Sequence, residues 1–250
     1  PSPVRAAAAA AAAPASYPAW TAPEGDRGVL AELAEDPSDY YQYEVGQCED
    51  LDGVQKSYRT YCCARTDLPA LGGVDVVDLF AQAEGANGEA LPRPGRRSLQ
   101  ATLRTSFGTY AFLFRSEENQ RAFQKDPWRY VPAYGGFCAC GLALEPKVEE
   151  EGYQSKLGPY VSLSQWAVQD DRLFFFGGPE PAAAFAAAAG ENAAQGDAHW
   201  SSFYGGEVHD GAINTNCFHH ETFADMIQGI HSEIVCTDHS DQRQQPVCGC

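Results

Sequence analysis

Tyr110-Ala-Phe-Leu-Phe-Arg-Ser-Glu-Glu-Asn119, followed by Asp126-Pro-Trp-Arg-Tyr-Val-Pro-Ala-Tyr-Gly-Gly-Phe-Cys-Ala-Cys140, decides the fold. Tyr110, Phe112 and Phe114 alternate with other residues, so a strand places all three on one face. Ser116 is a natural N-cap, and Glu117 and Glu118 stand where the positive end of a helix favours acid. Phe123 supplies the buried contact of that helix, which Asp126-Pro127 ends. Pro132 and Gly135-Gly136 then predict a compact loop that delivers Cys138 and Cys140.

Working outward, Thr102–Phe107 and Thr109–Phe114 read as a hairpin around Gly108. A second hairpin is predicted from Gln165 to Phe176, turning at Asp170-Asp171. An Ala-rich helix is expected over Pro181–Ala189, stopped by Gly190. The order predicts an α+β fold: a small antiparallel sheet of hairpins with packed helices, extended by disulfide-stapled termini. The chain divides into four regions: an Ala/Pro-rich arm over 1–24, an extension with a short helix and cysteines over 25–67, a core over 68–200, and a His/Cys-rich extension over 201–250. The arm lacks the apolar content to fold alone, and docking on a neighbour is one way to order it. Val29, Leu30 and Leu33 suit a short helix ahead of Pro37, and Thr222–Ile230 suits another.

Composition narrows the classes. A net charge of −17 over 250 residues argues against nucleic acid and against an anionic membrane surface, since both need a basic face. No apolar run reaches the length of a membrane span. The nine cysteines lack a Cys-x-x-Cys knuckle, so disulfides in an oxidising, extracytoplasmic space account for them better than a zinc framework. That space is a secretory route or an organelle lumen, the thylakoid lumen among them. Pro1 at the start fits a removed leader or a trimmed start. Vicinal Cys62 and Cys63 are expected to take two different partners, and Cys248 and Cys250 to pin the tail.

The strand, capped helix, Pro-stopped turn and Tyr134-Gly135-Gly136-Phe137-Cys138 step resemble the YHS domain, specifically the exported YHS-like proteins. Gly73-Val-Asp-Val-Val77 is similar to their opening stretch, and the second hairpin, Ala-rich helix and Asp197-Ala-His-Trp200 are similar to their ending. The likeness covers about Leu68–Trp200. It implies a small module associated with metal handling. The Tyr-His-Ser triplet that names the family is absent, and Ala139-Cys140-Gly141-Leu142 follows Cys138 instead.

Candidate chemistry gathers in two places. All six histidines lie between His199 and His239, and imidazole with thiolate suits zinc or copper, although a metal-free chain is an equal expectation. The candidate ligands are Cys138, Cys140, His209, Cys217, His219 and His220. Cys138 and Cys140 carry three open readings: a soft-metal pair, two halves of separate structural bridges, or a redox-exchange pair. No phosphate loop, nucleophile elbow or dinucleotide fingerprint occurs, so a catalytic role is not expected. The sequence therefore predicts a non-catalytic extracytoplasmic YHS-like binding module that carries or senses a transition metal. The alternative is an accessory subunit of a larger assembly, docked through its arm and acidic surface.

Overall fold

The computed structural model describes residues 62–85, 92–144, 161–204 and 207–218. The predicted arm over 1–24, the helix near Leu33, the helical run Thr222–Ile230, His219, His220 and the pair Cys248/Cys250 lie outside the described residues.

The fold is α+β. A tight turn, Ala70–Gly73, leads into helix α1 (Val76–Gly85). Strands β1 (Arg96–Arg104) and β2 (Thr109–Phe114) form the first antiparallel hairpin. Helix α2 (Glu117–Lys125) and one turn of helix α3 (Pro127–Tyr130) follow. A second tight turn, Ala133–Gly136, opens helix α4 (Ala139–Leu144). Strands β3 (Ser162–Gln169) and β4 (Arg172–Phe176) make the second hairpin. Helices α5 (Pro179–Ala186) and α6 (Ala189–Tyr204) close the order.

Each hairpin is its own two-stranded sheet among the described residues. The core between them is aromatic. Tyr110, Phe112 and Phe114 are all buried, as their alternation requires. Phe123 of α2 packs on Phe112 and Phe114, with ring centroids 4.7 and 5.1 Å away. Phe185 of α5 packs likewise on Phe174 and Phe176, at 5.1 and 5.4 Å. A lone hairpin is marginal in water, so these helices supply the apolar cover that each pair of strands lacks.

The local signals behave as their chemistry dictates. Ser116 Oγ accepts the Asn119 N–H at 3.1 Å, capping α2. Asp170 and Asp171 both take positive φ, at 48° and 60°. That is the geometry of a two-residue hairpin turn matched to strand twist. Two boundaries differ from expectation. The first strand runs Arg96–Arg104 rather than Thr102–Phe107, because Thr105 turns the chain: its N–H donates to Gly108 O at 2.8 Å, and its Oγ1 accepts the Phe107 N–H at 3.1 Å. The Ala-rich segment is two helices, and Gly190 lies inside the first turn of α6 instead of ending a helix. A Cβ at Gly190 would meet nothing within 4 Å, so packing places no demand on that glycine.

The termini of the described region close the core together. Ala212–Phe218 is buried throughout. The Leu71 N–H donates to Asn214 O at 2.8 Å, and the Asn214 N–H donates to Gly135 O at 2.8 Å. The Asn214 side chain also donates to Gly136 O and Cys217 O, each at 3.2 Å, while its Oδ1 accepts the Cys217 N–H at 3.0 Å. Cys63 is disulfide-bonded to Cys217, 154 residues away in sequence. Cys62 is disulfide-bonded as well, so the vicinal pair takes two different partners.

Candidate functional site

A cleft opens where α3, the second tight turn, the β3–β4 turn and residues 208–213 meet. Pro127 at the first position of α3 suits a helix start and holds Trp128 and Arg129 at the rim. The Trp128 indole stacks on the His209 imidazole, with centroids 5.5 Å apart and planes 14° from parallel. Across the opening, Arg129 Nη2 reaches Asp171 Oδ1 at 3.1 Å. The left-handed Asp170-Asp171 turn is what turns Asp171 toward that rim. The cleft volume is about 40 Å³, room for a group the size of a carboxylate.

The floor is rigid. Arg172 makes two hydrogen bonds to Asp197, at 2.9 and 2.6 Å, a forked pairing that fixes the guanidinium plane. The same guanidinium lies over the Tyr134 and Phe174 rings, 5.7 and 5.2 Å from their centroids. Tyr134 OH donates to Ala193 O at 2.9 Å. Burial, with the Asp197 charge adding to it, pushes the Tyr134 hydroxyl well above its ordinary range, so it stays protonated. Asp210 carries its charge at the back of the cleft. Burial works against that charge, yet the Ser106 N–H at 2.7 Å holds the carboxyl below its ordinary value. Its backbone carbonyl accepts the Trp200 indole N–H at 3.0 Å.

Two kinds of ion pair therefore meet here. Arg172–Asp197 is partly buried, forked and stacked. Arg129–Asp171 is a single contact between exposed side chains, of a class worth about 0–1 kcal/mol.

Of the residues expected to bind metal, His219 and His220 lie outside the described residues, and among the rest only His209 lines the cleft. Cys138 and Cys140 are fully buried thiols, so the structural-bridge reading of this pair does not hold. Cys138 Sγ accepts the Gly177 N–H at 3.3 Å. Cys217 is consumed by its bond to Cys63, which removes its thiolate from any ligand set. His199 is buried and donates Nδ1–H to Leu142 O at 2.6 Å, tying α6 to α4. Among the described residues, no group of three or more His, Cys, Asp or Glu is placed to hold a metal ion. Among them too, no helix is long and apolar enough to cross a membrane.

Trp128, Arg129, Asp171 and Arg172 were not singled out by the sequence as a site. Their signal was local and ambiguous. Trp128-Arg129 follows a helix-stopping Asp-Pro, and Asp171-Arg172 reads as turn chemistry. Only folding brings the two dipeptides together. No family model matches this chain, and no curated protein or solved structure matches it either.

Proposed function

We propose that this chain is a non-catalytic binding module of an oxidising, extracytoplasmic compartment, with a YHS-like core over 68–200. Its ligand-bearing face is the cleft of Trp128, Arg129, Asp171, Arg172 and His209. The observation that carries the reading is the contrast between the two ion pairs. Arg172 is locked in place by a forked pairing with Asp197 and by two rings, whereas Arg129 has the Tyr130 ring at 5.8 Å and a single exposed ion-pair contact to Asp171, which a ligand can take over.

The chemistry favours a ligand bearing a carboxylate or another small oxyanion. Arg129 offers a planar fork for the oxyanion, and the stacked Trp128–His209 pair offers a flat wall for whatever the charge is attached to. At about 40 Å³ the cleft holds the charged end of the ligand, not a whole cofactor. The thiols, the conspicuous nucleophiles among the described residues, lie in the core and do not line the cleft, which favours binding over catalysis. The disulfides at Cys62 and Cys63 support the compartment. Transition-metal carriage is the weaker form of this reading, because Cys217 is bridged and Cys138 is engaged by Gly177.

The test is a titration of the oxidised protein with benzoate, acetate and inorganic phosphate, followed by the Trp128 and His209 side-chain NMR resonances. Benzoate is expected to shift both at lower concentration than acetate, and Arg129→Ala to abolish the response. Resonances that stay unmoved by all three anions, or a response that survives Arg129→Ala, would sink the assignment.

A further inference from the structure

The two tight turns are the same turn. Pro69-Ala-Leu-Gly-Gly-Val74 and Pro132-Ala-Tyr-Gly-Gly-Phe137 share sequence at four positions. They also share an uncommon backbone. Leu71 and Gly72 sit at φ/ψ of 51°/37° and 60°/21°, and Tyr134 and Gly135 at 57°/33° and 61°/15°. Gly73 and Gly136 come next, at φ of 84° and 79°. A bulky residue in the left-handed region is a rare event, and here it occurs twice in the same context.

The elements after each turn match as well. A helix begins two or three residues later, then comes a hairpin with the same irregularity. Arg96 pairs with Phe114 and Gln100 with Leu113, so Arg97–Leu99 bulge from register. Ser162 pairs with Phe176 and Trp166 with Phe175, so Leu163–Gln165 bulge in the same way. The phenylalanine triads correspond one to one: Phe112, Phe114 and Phe123 with Phe174, Phe176 and Phe185. The strap at Asn214 lies between the copies, accepting from Leu71 on one side and donating to Gly135 on the other.

We infer that the core is two copies of one structural unit, roughly 69–123 and 132–185, and that Cys138 occupies in the second copy the position of Asp75 in the first. Asp75 is fully buried and takes four N–H donors. Val77 and Asp78 at the start of α1 donate to Oδ1, at 3.0 and 3.1 Å. The Arg115 N–H and Asn119 Nδ2 donate to Oδ2, at 2.8 and 2.7 Å. Arg115 immediately follows β2, and its counterpart after β4 is Gly177, whose N–H donates to Cys138 Sγ. Each buried acceptor thus pins the end of its own hairpin to its own turn.

The exchange of carboxylate for thiol has a cause in the same correspondence. Asn119 is the third residue of α2, and the third residue of α5 is Pro181. Proline offers no donor. The second copy therefore lacks a counterpart to the side-chain N–H that Asn119 gives Asp75, and a weaker, neutral acceptor suits this position better than a buried anion. Cys138 is a positioning residue of the hairpin, and its thiol is accounted for without a metal. This inference stands apart from the cleft, which the anion titration tests separately.

The experiment is a double-mutant cycle on the full oxidised chain, with Cys138→Asp, Pro181→Asn and the two combined, and Cys140→Asp as control. Cys140 is equally buried, but its counterpart in the first copy is the apolar Val77 rather than an acid. The expected result is coupling. Pro181→Asn alone leaves the thermal midpoint unchanged or lowered, yet raises it by about 5 °C once aspartate is present at 138. If Cys138→Asp does not fold, folding of the combined variant is the same result. Cys140→Asp is expected to prevent cooperative melting. Equal effects of Pro181→Asn in both backgrounds, or Cys138→Asp and the combined variant failing alike, would overturn the correspondence.

Discussion

Asp75 shows how much one buried side chain can organise. Its four donors come from α1, the end of β2 and α2, so it ties three elements at a single point. Burial pushes its carboxyl above the ordinary 3.8, and the N–H groups of Arg115 and Asn119 offset part of that rise. A raised value means the folded state holds this proton more firmly than the unfolded chain does, so the residue contributes most in acid and less as pH rises past 3.8. Asp75→Ala orphans buried amides and is expected to cost about 3 kcal/mol. Its gap from wild type should narrow with rising pH, a trend that urea melts of both proteins in acid and at neutrality would reveal or refute. Gly135 is another residue with no freedom. A Cβ there would stand 1.9 Å from Ala212 O, and its φ is +61°. The turn and the strap are thus made for one another at backbone distance.

At the level of elements, the helices that follow the hairpins are started differently. Helix α2 has the Ser116 cap, an acidic first turn and Lys125 in its last turn. Helix α5 has Gly178 at its N-cap, with no side-chain cap, and relies on Pro179 at its first position. Ser116→Ala should therefore cost about 1 kcal/mol, read as a shift of the urea midpoint, because it removes a side-chain acceptor from the exposed end of α2. These short-range features were legible in the sequence. A cap, an alternating aromatic strand and an Asp-Asp turn are decided within a few residues, where sterics and hydrogen bonding act directly. The first strand was misplaced for the opposite reason: Thr105 and Gly108 close the turn early, and composition alone cannot distinguish a strand end from a turn rich in Thr and Ser. Gly190 misled similarly, since a glycine inside a helix costs only about 1 kcal/mol and the neighbouring packing tolerates it.

Across the whole molecule, long-range closure dominates. Cys63–Cys217 spans 154 residues, and the chain-entropy relation assigns such a cross-link about 5 kcal/mol. The Cys63→Ala/Cys217→Ala variant is expected to lose stability on that scale while keeping the hairpins, which circular dichroism and denaturant melts can separate. That the vicinal Cys62 and Cys63 take different partners was readable in advance, but which partner Cys63 takes was not, because nine cysteines allow many connections and only the fold selects one. The cleft was hidden on the same ground, with Trp128, Asp171 and His209 far apart in the chain. The likeness of the two halves was also easy to miss. It rests on one short motif and on backbone geometry, while the side chains between have diverged from Asp to Cys and from Leu to Tyr.

The position of Asn214 sets a timetable for the molecule. Both tight turns hydrogen-bond to this residue, which leaves a ribosome only after every described helix and strand has been made. Until it arrives, the Leu71 amide and the Gly135 carbonyl have no strap to bind, and neither half can finish its core. Synthesis and completion of the fold are thereby separated in time. The segment that emerges last is thus also the one that locks the rest.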